Sequence, residues 1–157
     1  MALQKIWKLK GFGGSEQLEL SQAEIPNASE DQVIIKNEAI GLNYLDIYFR
    51  TALYPWPNQE EIKILGSEAA GTVTEIGVGV KHLKVGDRVV YVVPVGAYAE
   101  YVSVHSKHVA KIPDPVSFDT AAASLLKGIT AYYLLHDTFS LKSGQTALVH
   151  ALSLIHI

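Results

Sequence analysis

The sequence contains no cysteine among its 157 residues. This absence excludes disulfide bonds, thiolate nucleophiles and zinc sites built from cysteine. Positive charge is also scarce, because 13 Lys and Arg residues stand against 16 Asp and Glu residues, for a net charge of −3. A chain without a basic field is poorly suited to nucleic acid, so we predict no nucleic-acid partner and set aside an RNA-binding role.

Long apolar runs are missing as well. The N-terminal residues Met1-Ala2-Leu3-Gln4-Lys5 lack the apolar core of a signal peptide, and no run is long enough to cross a bilayer. We therefore expect a cytoplasmic protein that makes no membrane contact. With 48% hydrophobic and 18% charged residues the composition is that of a globular chain, and 157 residues correspond to one domain or one domain plus part of another.

The first two thirds of the chain have the pattern of β structure. Alternating or β-branched runs, separated by Gly, Pro and Asn, predict short strands. These strands are predicted at residues 6–9, 18–20, 33–40, 71–76 and 98–104, with a turn leading into another strand at 84–93. Many short strands at turn-separated spacing favour a small barrel or sandwich.

The pattern changes after Pro113 and Pro115. Ser117 to Thr120 has the composition of a capped helix start, and residues 121–136 carry an apolar stripe at helical spacing. Residues 145–150 follow Gly144 and have apolar Ala147, Leu148 and Val149 at their centre, which predicts a buried strand. A helix followed by an apolar strand is how a parallel α/β domain begins.

Chemistry-bearing side chains are concentrated in residues 41–55, directly after a predicted strand. This segment holds an amide, a carboxylate, a guanidinium and three tyrosines. Loops at strand ends are where binding and catalytic groups usually lie. A structural explanation stays open: Asn43 caps a helix, the aromatics fill a core, and Asp46 pairs with Arg50 at i,i+4 spacing.

Four segments occur in the order seen in one enzyme family. They are Gly41 to Pro55, Gly66-Ser67-Glu68-Ala69-Ala70-Gly71, Val85-Gly86-Asp87-Arg88-Val89 and residues 121–133. Together they make residues 1 to about 151 resemble the zinc-free NADPH:quinone oxidoreductases of the medium-chain dehydrogenase/reductase superfamily.

The resemblance implies a mainly β fold with an α/β remnant. We expect a GroES-like barrel at residues 1–115, followed at 116–151 by a bridging helix and one strand of an incomplete Rossmann domain. The glycine-rich turn that follows this strand in the family is missing here, so we expect the chain to be truncated after the first Rossmann strand. Residues 152–157 lie outside the family pattern.

The resemblance also implies a reaction, the transfer of hydride from NADPH to a quinone without a metal. The truncated chain is expected to bind NADPH weakly or not at all and to be inactive alone, and its full-length relatives are expected to be homodimers. Zinc is not expected, because Asn43 and Ser67 stand where zinc-dependent relatives of the superfamily place a cysteine and a histidine. The alternative function is a non-catalytic GroES-like module for binding or dimerisation.

Site residues follow from the same resemblance. The catalytic candidates are Asn43, Tyr48 and Tyr54. The cofactor-binding candidates are Asn43, Tyr44, Leu45, Asp46, Ile47, Tyr48, Lys127, Thr130 and Tyr133.

For some of these candidates, and for other polar residues nearby in the sequence, a purely structural explanation stays open. A helical lysine such as Lys127 is ordinarily a solvated charge. Tyr132 and Tyr133 cannot share a helix face, so one is expected in the core and the other at the site. Glu68 is interpreted as an anchor for a neighbouring side chain rather than a base, and the His residues at 105 and 108 as surface residues.

Overall fold

The computed structural model describes residues 2–58 and 61–150. In these residues the chain forms seven strands: β1 Leu3–Leu9, β2 Leu18–Glu24, β3 Gln32–Gly41, β4 Glu68–Ile76, β5 Arg88–Val92, β6 Tyr101–His105 and β7 Val109–Lys111. It also forms two α-helices, α1 Tyr44–Arg50 and α2 Phe118–Tyr133. The mainly β architecture and every strand predicted before residue 105 are confirmed.

The strands form two antiparallel sheets. β1 and β2 make a hairpin that pairs Leu9 with Leu18 and Leu3 with Glu24, and the connection between them contains Gly11, Gly13 and Gly14. The larger sheet has the order β6-β3-β4-β5-β7. Single bridges from Ile6 to Ala99 and from Lys8 to Ile64 connect the hairpin to neighbouring segments.

β3 is irregular at two places along its length. Its pairing with β4 shifts between Ile34 and Ile35 and again between Asn37 and Ala39. Such bulges bend a strand. Asn37 lies at the second irregularity, and its Nδ2 donates to the carbonyls of Ala97 and Ala99, at 3.1 and 2.9 Å.

The core lies under the larger sheet and follows the alternation of its strands. Its fully buried members come mainly from β3, β4 and β5 and include Val33, Ile35, Val73, Val89 and Tyr91. The Tyr91 hydroxyl donates to Asn37 Oδ1 at 3.0 Å, and burial raises the pKa of this phenol.

α2 begins as its cap predicts. Ser117 Oγ accepts the backbone N–H of Thr120 at 3.1 Å. In the first turns Ala121 and Ala122 are buried in a cluster with Ala70, Val90 and Ile112. The chain divides into compact units at Met1–Lys127 and Gly128–Ile157, so the first unit includes the start of this helix. The domain boundary predicted between residues 115 and 116 stays a prediction.

The second unit departs from two predictions. After α2 a π-helical turn spans Leu134–Thr138, and residues 139–150 form neither helix nor strand. The strand predicted at 145–150 is therefore wrong for the described residues: a strand needs a ladder to a neighbour, and Leu148 is 82% exposed. Tyr132 and Tyr133 are both exposed, so the assignment of one to the core is also wrong. The segment 152–157 lies outside the described residues.

Within the part of the chain that the structure describes, no helix has the length and apolarity needed to span a membrane.

Candidate functional site

Three elements of the first unit meet at one carboxylate. Asn43 precedes α1, Glu68 opens β4, and Lys127 lies on α2. Glu68 Oε1 accepts from Asn43 Nδ2 at 3.0 Å and from Lys127 Nζ at 2.5 Å. Lys127 Nζ also donates to Asn43 Oδ1 at 2.8 Å, which closes a triangle of polar contacts.

Glu68 is completely buried, whereas the Lys127 side chain is 46% exposed. A buried carboxylate is tolerated only where donors compensate its lost hydration. Its second oxygen, Oε2, accepts the backbone N–H of Leu126 at 2.7 Å. The interpretation of Glu68 as an anchor for neighbouring side chains is confirmed.

Gly41, at the end of β3, provides the space for this arrangement. A Cβ at Gly41 would lie 2.3 Å from the carbonyl oxygen of Ala122 and 2.5 Å from Cγ of Glu68. Any side chain at this position would push α2 and the carboxylate away from the strand. The glycine therefore allows the close approach of backbone that brings Lys127 to Asn43.

Asp46 lies in the first turn of α1 and is buried, with 5% of its surface exposed. Its Oδ2 accepts the backbone N–H of Asn43 and the Tyr98 hydroxyl, each at 2.9 Å. Its Oδ1 lies 3.0 Å from the Ser67 hydroxyl. Burial raises the pKa of Tyr98, and the adjacent carboxylate raises it further, so this phenol keeps its proton.

The i,i+4 pairing of Asp46 with Arg50 is not formed. Arg50 Nε instead donates to the carbonyl of Gly13 at 3.2 Å, and the N–H of Gly13 donates to the carbonyl of Arg50 at 3.0 Å. Arg50 thus connects α1 to the turn of the β1–β2 hairpin. The i,i+4 spacing permits an ion pair with Arg50, but the oxygens of Asp46 accept from other donors instead.

The aromatic residues of the segment form a row. Ring centroids are 5.8 Å apart for Tyr44 and Tyr48 and 5.3 Å apart for Tyr48 and Tyr54. Tyr44 and Tyr54 are 40% and 46% exposed, so the row faces solvent at both ends. Ala52 adopts φ 59° after α1, and the N–H of Tyr54 returns to the carbonyl of Tyr48 at 3.1 Å.

The remaining candidates are more dispersed. Leu45 packs against the buried cluster of Leu9, Phe49 and Leu65, while Ile47 is half-buried. Thr130 and Tyr133 belong to the second unit, where both are exposed.

The structure therefore brings Asn43 to Lys127 and groups the three tyrosines. Sequence reasoning missed that Glu68 joins the first pair. The available signal was a lone carboxylate among the small residues of a buried strand, which demands donors from elsewhere in the fold.

Within the part of the chain that the structure describes, the triangle leaves donor hydrogens unused. An amide nitrogen carries two hydrogens and an ammonium carries three. Asn43 Nδ2 uses one on Glu68, and Lys127 Nζ uses two, on Glu68 and Asn43. One N–H of each group is therefore free to donate to water or to an acceptor on a ligand.

A metal centre finds little support in the described residues. They contain no group of three or more His, Asp or Glu side chains able to hold an ion. The rings of His105 and His108 lie 6.2 Å apart and both residues are exposed, which confirms them as surface residues.

Comparison with known proteins identifies a matching family and similar relatives. Residues 29–114 match the family model of the alcohol dehydrogenase GroES-like domain. Quinone oxidoreductase 1 of Escherichia coli is 43% identical over 140 residues, which are 88% of this chain and 42% of that protein.

Solved structures agree. The Escherichia coli quinone oxidoreductase complexed with NADPH gives a TM-score of 0.82 at 41% identity, covering 90% of this chain and 42% of that one. The human synaptic vesicle membrane protein VAT-1 homolog-like protein gives 0.87 at 34% identity, covering 91% and 46%. The chain thus spans less than half the length of these relatives.

Proposed function

The chain belongs to the alcohol dehydrogenase GroES-like domain family, and from this premise we propose that it forms the barrel part of an NADPH:quinone oxidoreductase. In this proposal hydride passes from NADPH to a quinone without a metal. The observation that carries the proposal is the donor pair of Asn43 and Lys127 held at Glu68, with Asn43 directly preceding Tyr44, the first residue of the tyrosine row.

The residues present fit the nicotinamide end of the cofactor. The carboxamide and ribose of that end offer carbonyl and hydroxyl oxygens, which are acceptors for the remaining N–H groups of Asn43 and Lys127. When bound, NADPH supplies the hydride. Tyr48 and Tyr54 are proposed to offer phenolic donors to the quinone oxygen on which negative charge develops. Asp46 acts through the loop that it braces rather than by contact, since it is buried.

We propose that no zinc takes part. The Ser67 hydroxyl is buried and lies between Asp46 Oδ1 and the carbonyl of Pro94, at 3.0 and 3.1 Å. The Asn43 amide is held by Glu68 and Lys127. Neither an amide nor a hydroxyl is a preferred zinc ligand.

The 157 residues made alone are proposed to bind NADPH weakly or not at all and to be inactive. The contacts identified above serve one end of the dinucleotide. Pyrophosphate is usually held by a glycine-rich turn at a helix N-terminus, and no glycine follows Gly144 in this sequence. By the same resemblance we propose a cytoplasmic location and a homodimer for the full-length relatives, without membrane or nucleic-acid partners.

A second candidate is a non-catalytic module for binding or dimerisation. An apolar groove of about 270 Å³ lies between the hairpin and the end of β3, lined by Trp7, Leu18, Ile40, Leu42 and Tyr98. Leu42 is 72% exposed. Contiguous apolar surface of this kind often marks a contact with a partner.

NMR titration separates the two candidates. NADPH added to the ¹⁵N-labelled chain is expected to shift the side-chain amide of Asn43 and the backbone amides of α1. Asn43→Ala should weaken this binding about tenfold, whereas Asn27→Ala, a change at an exposed asparagine, should not. Shifts confined to the groove would contradict the reductase proposal.

A further inference from the structure

We infer that Glu68 is a positioning residue that fixes the Asn43 amide and the Lys127 ammonium as a donor pair and neutralises the charge of the ammonium. The ligand that this pair faces rests on the proposed function; the positioning itself does not. The inference also specifies the ligand chemistry: an uncharged carbonyl or hydroxyl oxygen rather than a phosphate.

The orientation of the Asn43 amide is determined by its two neighbours. Its Oδ1 faces the Lys127 ammonium at 2.8 Å and its Nδ2 faces the Glu68 carboxylate at 3.0 Å. A flipped amide would place N–H groups against the ammonium and oxygen against the carboxylate, and both contacts would be repulsive. The second Nδ2 hydrogen therefore has one direction in space.

Glu68 also determines how far α2 lies from the loop that carries Asn43. Its Oε2 holds the backbone N–H of Leu126, one residue before Lys127. Its Cγ lies against the position of Gly41, two residues before Asn43. The carboxylate is fully buried, so losing these donors would leave a charged group without hydrogen bonds and at a large cost in desolvation free energy. One side chain thus sets the separation of the two donors.

Charge decides what the pair recognises. The Glu68 carboxylate cancels the Lys127 ammonium within one hydrogen bond, so the surface at Asn43 offers N–H groups without net positive charge. A neutral acceptor gains two hydrogen bonds there. A phosphate gains the same bonds, but the Glu68 carboxylate offsets the attraction of the Lys127 ammonium, so a phosphate gains little charge–charge stabilisation to compensate the loss of its own hydration.

The test uses the ¹⁵N-labelled 157-residue chain and the variant Glu68→Gln, with Glu75→Gln as the matched control. Glu75 lies on the same strand but is exposed. Two probes are titrated, reduced nicotinamide riboside and inorganic phosphate. Backbone amide shifts of β3 and β4 verify that each variant is folded.

Without ligand, the Asn43 side-chain amide should exchange with water about tenfold faster in Glu68→Gln than in the parent and the control. With ligand, the riboside should shift this amide in the parent and phosphate should not. In Glu68→Gln, phosphate should bind about tenfold better, because the variant leaves the ammonium uncompensated. A folded Glu68→Gln protein with the exchange rate and the selectivity of the parent would overturn the inference.

A second variant covers a Glu68→Gln protein that does not fold. Lys127→Met removes a half-exposed partner and should speed exchange of the Asn43 amide about fivefold, while Lys107→Met, a change at an exposed lysine, should not. Unchanged exchange in Lys127→Met would overturn the positioning role.

The proposed function fails separately from the inference. If the riboside leaves the parent's Asn43 amide unshifted while exchange responds as expected, the cofactor assignment is wrong and the positioning stands. If the riboside shifts the parent and Glu68→Gln equally, and exchange is unchanged, the positioning is wrong and the cofactor assignment stands.

Discussion

Replacing Asp46 by Asn tests how the start of α1, the helix that carries the first two tyrosines of the row, is held in place. The carboxylate is 5% exposed and accepts from the Asn43 N–H, the Tyr98 hydroxyl and the Ser67 hydroxyl. Asn has nearly the same shape but one oxygen and no charge. With that oxygen in the Oδ2 position it still accepts from Asn43 and Tyr98, and its NH₂ group then faces Ser67.

The expected cost follows from the change in acceptor. Hydrogen bonds to a charged group contribute about 1.5–3 kcal/mol and neutral ones about 0.5–1.5 kcal/mol, so each bond kept on Oδ2 loses roughly 1 kcal/mol. The Ser67 hydroxyl can turn to the carbonyl of Pro94, 3.1 Å away, and accept from the new NH₂ group. Asp46→Asn should therefore destabilise the first unit by about 2 kcal/mol.

Urea unfolding followed by tryptophan fluorescence measures this cost, because Trp56 packs edge-on against Phe49 of α1 at 6.1 Å. Asp114→Asn is the control, since Asp114 is exposed. A double-mutant cycle with Tyr98→Phe should show a coupling of about 1 kcal/mol. A loss for Asp46→Asn no larger than that of the control would refute the account of Asp46 as the brace.

Two further predictions concern other contacts of the barrel. Gly41→Ala should destabilise the chain by about 2 kcal/mol or more in thermal unfolding, because its Cβ would meet the Ala122 carbonyl oxygen at 2.3 Å. Gly86→Ala is the comparison, because there φ is 91° and the space is open, so that variant shows the cost of backbone strain without a clash. The Lys111 ammonium, 2.8 Å from Asp87, lowers the pKa of that carboxyl, so its contribution to stability is present above the unfolded pKa of about 3.9 and is lost as pH falls through the folded pKa. The melting temperature of the parent should exceed that of Asp87→Asn at pH 6, and the difference should vanish toward pH 2; a difference that persists in acid would contradict this assignment.

Local patterns predict the strands and the start of α2, because alternation, turn residues and the Ser117 cap act over a few positions. The contact of Glu68 with Lys127 joins residues 59 positions apart, and nothing local encodes it. Asp46 and Arg50 have the spacing of an ion pair, yet Asp46 accepts from Asn43, Ser67 and Tyr98, and Arg50 donates to the distant Gly13. The apolar run at 145–150 has the composition of a strand, but forming one depends on a neighbour that composition does not provide.

Saturation-transfer difference NMR with NADPH tests the central claim most directly, since it reports which end of the dinucleotide touches the chain. The donor pair of Asn43 and Lys127 predicts that saturation reaches the nicotinamide ring and its ribose more strongly than the adenine. Asn43→Ala should abolish this pattern and Asn27→Ala should preserve it. Saturation that favours the adenine, or a nicotinamide signal that survives Asn43→Ala unchanged, would contradict the account.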